Sequence, residues 1–292
     1  MPYYKMLIFS MYFMMQGAAL AAPDLTQKVG TTLVEQGSQY YRFQQLALTS
    51  NDQQRRYQIT LAIPKAAAPE HGYPVLYMLD GNAALAALNE QRLSRLQGAD
   101  WPVIVTIGYD TDLYFDVIAR AYDYTPALAP KVQQQEARQY GGAELFWQLI
   151  EQQVKPLVAQ NTTINKDRQA LWGHSFAGLF LLHTLFNHPE SFQTYIAADP
   201  SLWWQQGLII NAEKPYQQRT QRPPAQLLIQ RSASRRKGDS LPNDAVLRLA
   251  ERLSQLPELK VQYHEYFQHT HGSLLAASIP AALRMTQGAI NE

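Results

Sequence analysis

Apolar and polar positions alternate along two stretches near the start of the chain, residues 32–48 and 56–64, with Tyr57, Ile59, Leu61 and Ile63 on one face. A period of two marks a half-buried strand, so these stretches predict an antiparallel pair at a sheet edge. Further on the pattern changes to short apolar runs at 74–79, 103–107, 170–172, 195–198 and 227–229, with 261–267 last. Bounded by Gly, Asp and Pro, runs of this length suit strands buried on both faces. Between them, apolar residues at helical spacing cover 84–96, 142–159, 177–187, 244–256 and 278–285. Strand followed by helix, repeated, predicts an α/β fold with a mostly parallel central sheet and helices on both faces. Ligands of such sheets bind beyond the carboxyl ends of the strands, so chemistry is expected just after each strand. Residues 64–73 and 219–224 read as surface connections. The stretch 109–139, rich in Tyr, Asp and Pro, is too irregular for a core element and is expected to cover part of the site.

The first residues stand apart from this pattern. Lys5 precedes an apolar run over 6–15 that ends in Gly17-Ala18-Ala19-Leu20-Ala21. That run is shorter than the roughly 20 apolar residues a spanning helix needs, and its small-residue end fits a secretory leader cut after Ala21. Residues 1–21 are therefore expected to be a signal peptide and 22–292 one domain, periplasmic or secreted; an uncleaved anchor helix is the alternative. No second apolar run of that kind follows, so no membrane span is expected in the mature chain. The leader carries Lys5 and no acid, so cutting it lowers the net charge from +1 to 0 over 292 − 21 = 271 residues. A neutral chain gives no general reason to expect a nucleic-acid partner. The chain has no cysteine, which removes disulfides, thiolate nucleophiles and cysteine-ligated metals together.

Ser175 lies in Trp172-Gly173-His174-Ser175-Phe176-Ala177-Gly178, after an apolar run and before a helical stretch. On a sharp strand-to-helix turn a serine is thrust out at the top of the sheet, and small neighbours let strand and helix approach closely. The amide of Phe176 and the helix N-terminus then face a developing oxyanion. The strict G-x-S-x-G pattern has glycine where this chain has Ala177, which is small enough to pack but narrower in backbone freedom. An ordinary serine in such a turn is the bland alternative. A second oxyanion donor is expected from the loop after an earlier strand, and Tyr77-Met78-Leu79-Asp80-Gly81-Asn82 fits. The amide of Asn82 is the expected donor, with that of Gly81 as fallback; a plain Asp-Gly turn is the other reading.

A base is expected after the last strand, where His269 and His271 both occur. His271 is favoured because Gly272 would give the backbone freedom to aim its ring. His264, within the strand, His183 and His188 are expected to be structural, and the histidine spacing matches no standard metal-ligand pattern. The acid is harder to place. After the run 227–229 comes Gln230-Arg231-Ser232-Ala233, which offers no carboxylate; Asp239 and Asp244 follow later and Glu265 is on the last strand. A carbonyl or hydroxyl also holds a histidine tautomer, so the reading leans to a Ser-His dyad.

With these residues placed, the chain resembles the esterase D group of α/β-hydrolases, and within it the periplasmic siderophore esterases. The resemblance covers most of 22–292 and is carried by residues 72–82, 171–180, Pro200-Ser201-Leu202-Trp203-Trp204 and His271-Gly272-Ser273. It implies an α/β-hydrolase fold, Ser175 as nucleophile, His271 as base, a dyad mechanism and no metal or organic cofactor. The implied substrate is the ester ring of a catecholate siderophore, ferric or iron-free. Departures are Ala177 and Asp199, where a serine is commoner. An anionic aromatic substrate suits indole and guanidinium groups, which makes Trp203, Arg231 and Arg235 substrate-binding candidates. Paired tryptophans are more often core, and a basic loop more often solvated surface. A broad carboxylesterase for acetyl or feruloyl esters is the alternative enzyme, and a non-catalytic hydrolase-fold binding protein the alternative class.

Overall fold

The computed structural model describes residues 26–96, 98, 100–233 and 241–288. The leader 1–21 and the candidates Arg235 and Asp239 lie outside them. Eight strands form one sheet: β1 (Tyr41–Thr49), β2 (Arg56–Pro64), β3 (Tyr73–Met78), β4 (Val103–Tyr109), β5 (Ile164–His174), β6 (Thr194–Ala198), β7 (Ala225–Ser232) and β8 (Leu259–Tyr266). Their order is β1-β2-β4-β3-β5-β6-β7-β8. β1 and β2 pair antiparallel, β2 joins β4 antiparallel, and every later pair is parallel. This is the α/β-hydrolase architecture, a mostly parallel sheet with an antiparallel edge.

The apolar runs of the central strands are explained by burial on both faces, whereas the run 261–267, expected to be buried likewise, forms most of the edge strand β8 and is half-buried or exposed along most of its length. In β3, Val75 and Tyr77 enter the core under the helices Ala143–Leu149, Phe176–Asn187 and Ala245–Leu253. Their neighbours Leu76 and Met78 enter the opposite core under Gly81–Ala87 and His271–Thr286. Each fully buried Val, Leu or Met contributes about 1.5–3 kcal/mol, so the sheet needs no disulfide to hold it.

Three expectations are corrected. Residues 32–48 are not one strand, because Thr32 and Glu35 close a capping box that starts a short helix at Leu33–Gln36 before β1 begins. The stretch 109–139 is partly regular: it contains the helices Ala119–Asp123 and Pro130–Gln133 and buries Tyr124 completely. The last helix starts at His271, not 278.

Candidate active site

At the end of β5 the chain turns through Ser175 with φ 62 and ψ −117 before the helix Phe176–Asn187 begins. A non-glycine residue in that region costs on the order of 1–3 kcal/mol, so the surroundings must impose it. The Ser175 amide donates to Ala198 O at 2.9 Å, and the Ser175 carbonyl accepts from the Ser201 amide at 3.1 Å. Gly173 is required because a Cβ there would stand 2.4 Å from the Ala177 carbonyl oxygen. Ala177 itself is a fully buried residue within the helix, where alanine needs no special backbone.

His271 is brought to Ser175 by the capping of the C-terminal helix. Thr270 is its N-cap: the Ser273 amide donates to Thr270 Oγ1, and the Thr270 amide donates to Ser273 Oγ at 2.9 Å. Gly272 has open space around it and no left-handed φ, so glycine freedom is not what aims the ring. His271 Nε2 lies 3.0 Å from Ser175 Oγ. His269 instead bonds Ser273 Oγ at 3.2 Å. His174 lies alongside, its ring 4.6 Å from that of His271, and its Nε2–H donates to the His271 carbonyl at 2.8 Å. Burial, followed by the charge His271 would carry, pushes the His174 pKa down to about 3, with Asp199 opposing, so His174 stays neutral.

On the other face of the His271 ring stands a carboxylate that the expectation of a dyad did not include. Nδ1 lies 2.9 Å from Asp199 Oδ2, and Asp199 directly follows β6 with φ 45. Burial would raise the Asp199 carboxyl. Hydrogen bonds from His271 and Ser232 and the charge of Arg231 outweigh it and hold the pKa well below the usual carboxylate range. The end of β7 therefore supplies no acid but two groups that hold the acid of its neighbour. Asp244 is not at the site: it accepts from Arg248 Nε at 2.8 Å at the start of the helix Ala245–Leu253. Glu265 accepts from the Tyr263 hydroxyl at 2.7 Å.

The proposed oxyanion donors sit at two helix starts. β3 and β5 are paired neighbours, Met78 opposite Trp172, so the turns at Asp80 and Ser175 leave the sheet side by side. The first intrahelical bonds are Ala84 N to Asp80 O and Leu179 N to Ser175 O, so the amides of Asn82 and Phe176 fall in first turns, where helices leave N–H groups for other acceptors. Gly81 is compelled by packing, since a Cβ would come within 2.4 Å of the Gly108 amide. The Asn82 side chain is occupied elsewhere, accepting from the Tyr109 amide at 2.9 Å and donating to Thr111 O at 2.9 Å. Asp80, itself at φ 49, is gripped by Arg120 through two bonds of 2.8 and 2.7 Å. The Arg120 guanidinium also lies 5.5 Å over the Phe176 ring, linking the two turns.

Of the substrate-binding candidates, Trp203 is half-buried with its ring 5.7 Å from that of Phe176. Trp204 is core, packed against Tyr140. Arg231 is engaged with Asp199 rather than standing free at a rim. The sequence assigns no part in the site to Asp199, Ser201, Arg120 or His174. Asp199 carried a signal there, as a carboxylate immediately after an apolar strand run, and Ser201 and His174 lie inside family motifs without a role of their own.

A serine on a sharp strand-to-helix turn, facing the first residue of a histidine-led final helix on an eight-stranded α/β-hydrolase sheet, is an arrangement found in ester hydrolases. A family model described as "Putative esterase" matches residues 50–264, more than half of the chain, and the chain belongs to that esterase family. It is similar to the apo-salmochelin esterase of Escherichia coli O6:H1, 40% identical over 186 residues, which are 62% of this chain and 58% of that protein. It is also similar to the ferri-bacillibactin esterase BesA of Bacillus subtilis, 33% identical over 251 residues, 81% of this chain and 86% of that one. The chain thus spans less than two thirds of the first of these relatives. Among solved structures, the enterobactin and salmochelin hydrolase IroE superposes with a TM-score of 0.73 at 31% identity, covering 88% of this chain and 99% of that one.

Proposed function

We propose that the chain is a serine esterase that opens the ester bonds of catecholate siderophores through Ser175, His271 and Asp199. The observation that carries the reading is the unbroken relay Ser175 Oγ, His271 Nε2, His271 Nδ1, Asp199 Oδ2 at 3.0 and 2.9 Å. Asp199, ionised, accepts a hydrogen bond from His271 Nδ1–H and so leaves Nε2 with the lone pair that acts as base. Ser175 Oγ attacks the ester carbonyl as its proton passes to Nε2, and the carbonyl electron pair moves onto oxygen facing the amides of Phe176 and Asn82. His271 then protonates the departing alkoxide. Water repeats the sequence on the acyl-enzyme and releases the acid.

The substrate class is supported by relatives named for salmochelin, bacillibactin and enterobactin. The Phe176–Trp203 ring pair beside the nucleophile turn suits an aromatic acyl group. Wild-type protein is expected to be labelled by a fluorophosphonate and to hydrolyse a catecholate trilactone faster than a p-nitrophenyl ester. Ser175→Ala should abolish both reactions, and full turnover in that variant would end the reading.

No helix among the described residues is long and apolar enough to cross a membrane. We read residues 1–21 as a cleaved leader, 22–292 as one hydrolase domain, and the enzyme as periplasmic or secreted. Amino-terminal sequencing of the exported protein should begin at Ala22, and retention of Met1 would refute the leader.

A further inference from the structure

The loop after β6 reaches the relay twice. Asp199 holds His271, and two residues on, Ser201 Oγ lies 3.2 Å from Ser175 Oγ. Ser201 is 1% exposed, and among the described residues Ser175 Oγ is the only hydrogen-bond partner of its hydroxyl. The segment is fixed against the nucleophile turn by the Ser201 amide bond to Ser175 O at 3.1 Å and by Pro200, which packs where a Gly178 side chain would otherwise stand.

The direction of this contact follows from proton accounting along the relay. An ionised Asp199 accepts from His271 Nδ1–H, so Nε2 presents a lone pair and must accept from the Ser175 hydroxyl. That hydroxyl has one proton, and it is then committed to His271. The 3.2 Å contact is a hydrogen bond only if Ser201 donates and Ser175 Oγ accepts.

We propose that Ser201 is a positioning residue for the nucleophile: its hydroxyl donates to Ser175 Oγ and so aims the Ser175 proton at His271. When Oγ attacks, the new Oγ–carbon bond forms, the Ser175 proton goes to Nε2, and Ser201 keeps its own. The donated bond strengthens as Oγ gives up its proton and eases the same step in reverse when Oγ leaves the acyl group. A merely space-filling serine would do neither. The inference rests on the reading of Ser175 as nucleophile.

The test is the fluorophosphonate labelling rate, with kcat and KM on a p-nitrophenyl ester, in Ser201→Ala and Ser201→Cys beside wild type and Ser175→Ala. Loss of a donor to a charging oxygen should slow labelling and kcat by about ten- to a hundredfold, with KM little changed. Cysteine refills the space but is a weak donor, so Ser201→Cys should stay slow. Wild-type rates in Ser201→Ala, or rates restored by Ser201→Cys, would overturn the proposal. If Ser201→Ala fails to fold, the cysteine variant alone decides between donor and filler. Labelling that persists in Ser175→Ala would instead remove the nucleophile reading itself.

Discussion

Asp199 is served from three directions: by His271 at the start of the last helix and by Arg231 and Ser232 at the end of β7. An asparagine there would keep the shape but offer an amide where an acceptor is needed, and would favour the tautomer with its proton on Nε2. Asp199→Asn should therefore lower kcat by about 10⁴-fold, as loss of a triad aspartate does. Asp244→Asn, whose carboxylate faces Arg248, should stay within about threefold, as surface changes away from a site do. Equal kinetics for Asp199→Asn and wild type on one ester would return the mechanism to a dyad. At this scale Ser175 was legible because its signal is local: small residues on either side of a serine between a strand run and a helix. Asp199 is harder because the usual chain order puts the carboxylate after the β7 run, and a sequence does not show that β6 and β7 lie side by side with Ala198 opposite Gln230. The roles of Ser201, though it lies in the Pro200–Trp204 motif, and of Arg120 had no local signal, since each arises only through a partner 26 or 40 residues away.

At the scale of the element, the aiming of His271 belongs to the helix His271–Thr286 rather than to a flexible glycine. Its first residue is fixed by the Thr270–Ser273 capping box and by the bond from His174 to its carbonyl. A Cβ added at Gly272 would meet nothing within 4 Å beyond its own helix and chain neighbours. Gly272→Ala should therefore leave kcat near wild type and raise stability by up to about 1 kcal/mol, since alanine is the better helix former. Thr270→Val should cost about 1 kcal/mol through the lost cap and lower kcat, because a base displaced by about 1 Å reacts on the order of a hundredfold more slowly. Denaturant midpoints and ester kinetics on the two variants check both; an inactive Gly272→Ala would restore the glycine explanation. The central strands were readable because burial on both faces leaves a continuous apolar run. The short helix Leu33–Gln36 was not, since four residues give no helical period and its cap lies inside an alternating stretch. The start of the last helix is hidden from periodicity because its first turn holds His271, Gly272 and Ser273, which face the site and the solvent instead of the core.

On the scale of the whole molecule, stability depends on where buried groups take up protons. His174 and His183 ordinarily titrate near 6.5. In the fold, burial first, with neighbouring histidine charge adding to it, lowers them to about 3 and about 4, although Asp199 and Glu144 respectively pull the other way. Between those values and 6.5 the unfolded chain binds more protons, so these two groups make stability rise with pH. Asp123 acts in the opposite sense. Burial raises its carboxyl from 3.8 to about 7, only partly offset by Arg55 and the hydroxyls of Tyr109 and Tyr57, so over that window the folded chain holds the extra proton. Asp199, held low, adds stability that is lost only as pH falls below the ordinary 3.8. From about pH 6.5 to 4.5 the balance is two histidines against one carboxyl, a net of about one proton. The protein should then lose up to about 1.4 kcal/mol per pH unit on acidification. His183→Gln removes one of the two histidines from a helix position away from the relay, and should leave the remaining histidine and Asp123 nearly cancelling. Urea midpoints for wild type and this variant at several pH values, converted with a common m-value, measure the difference. A level profile for the variant against a sloping one for wild type is expected, whereas parallel slopes would mean that His183 is protonated in the folded protein despite its burial.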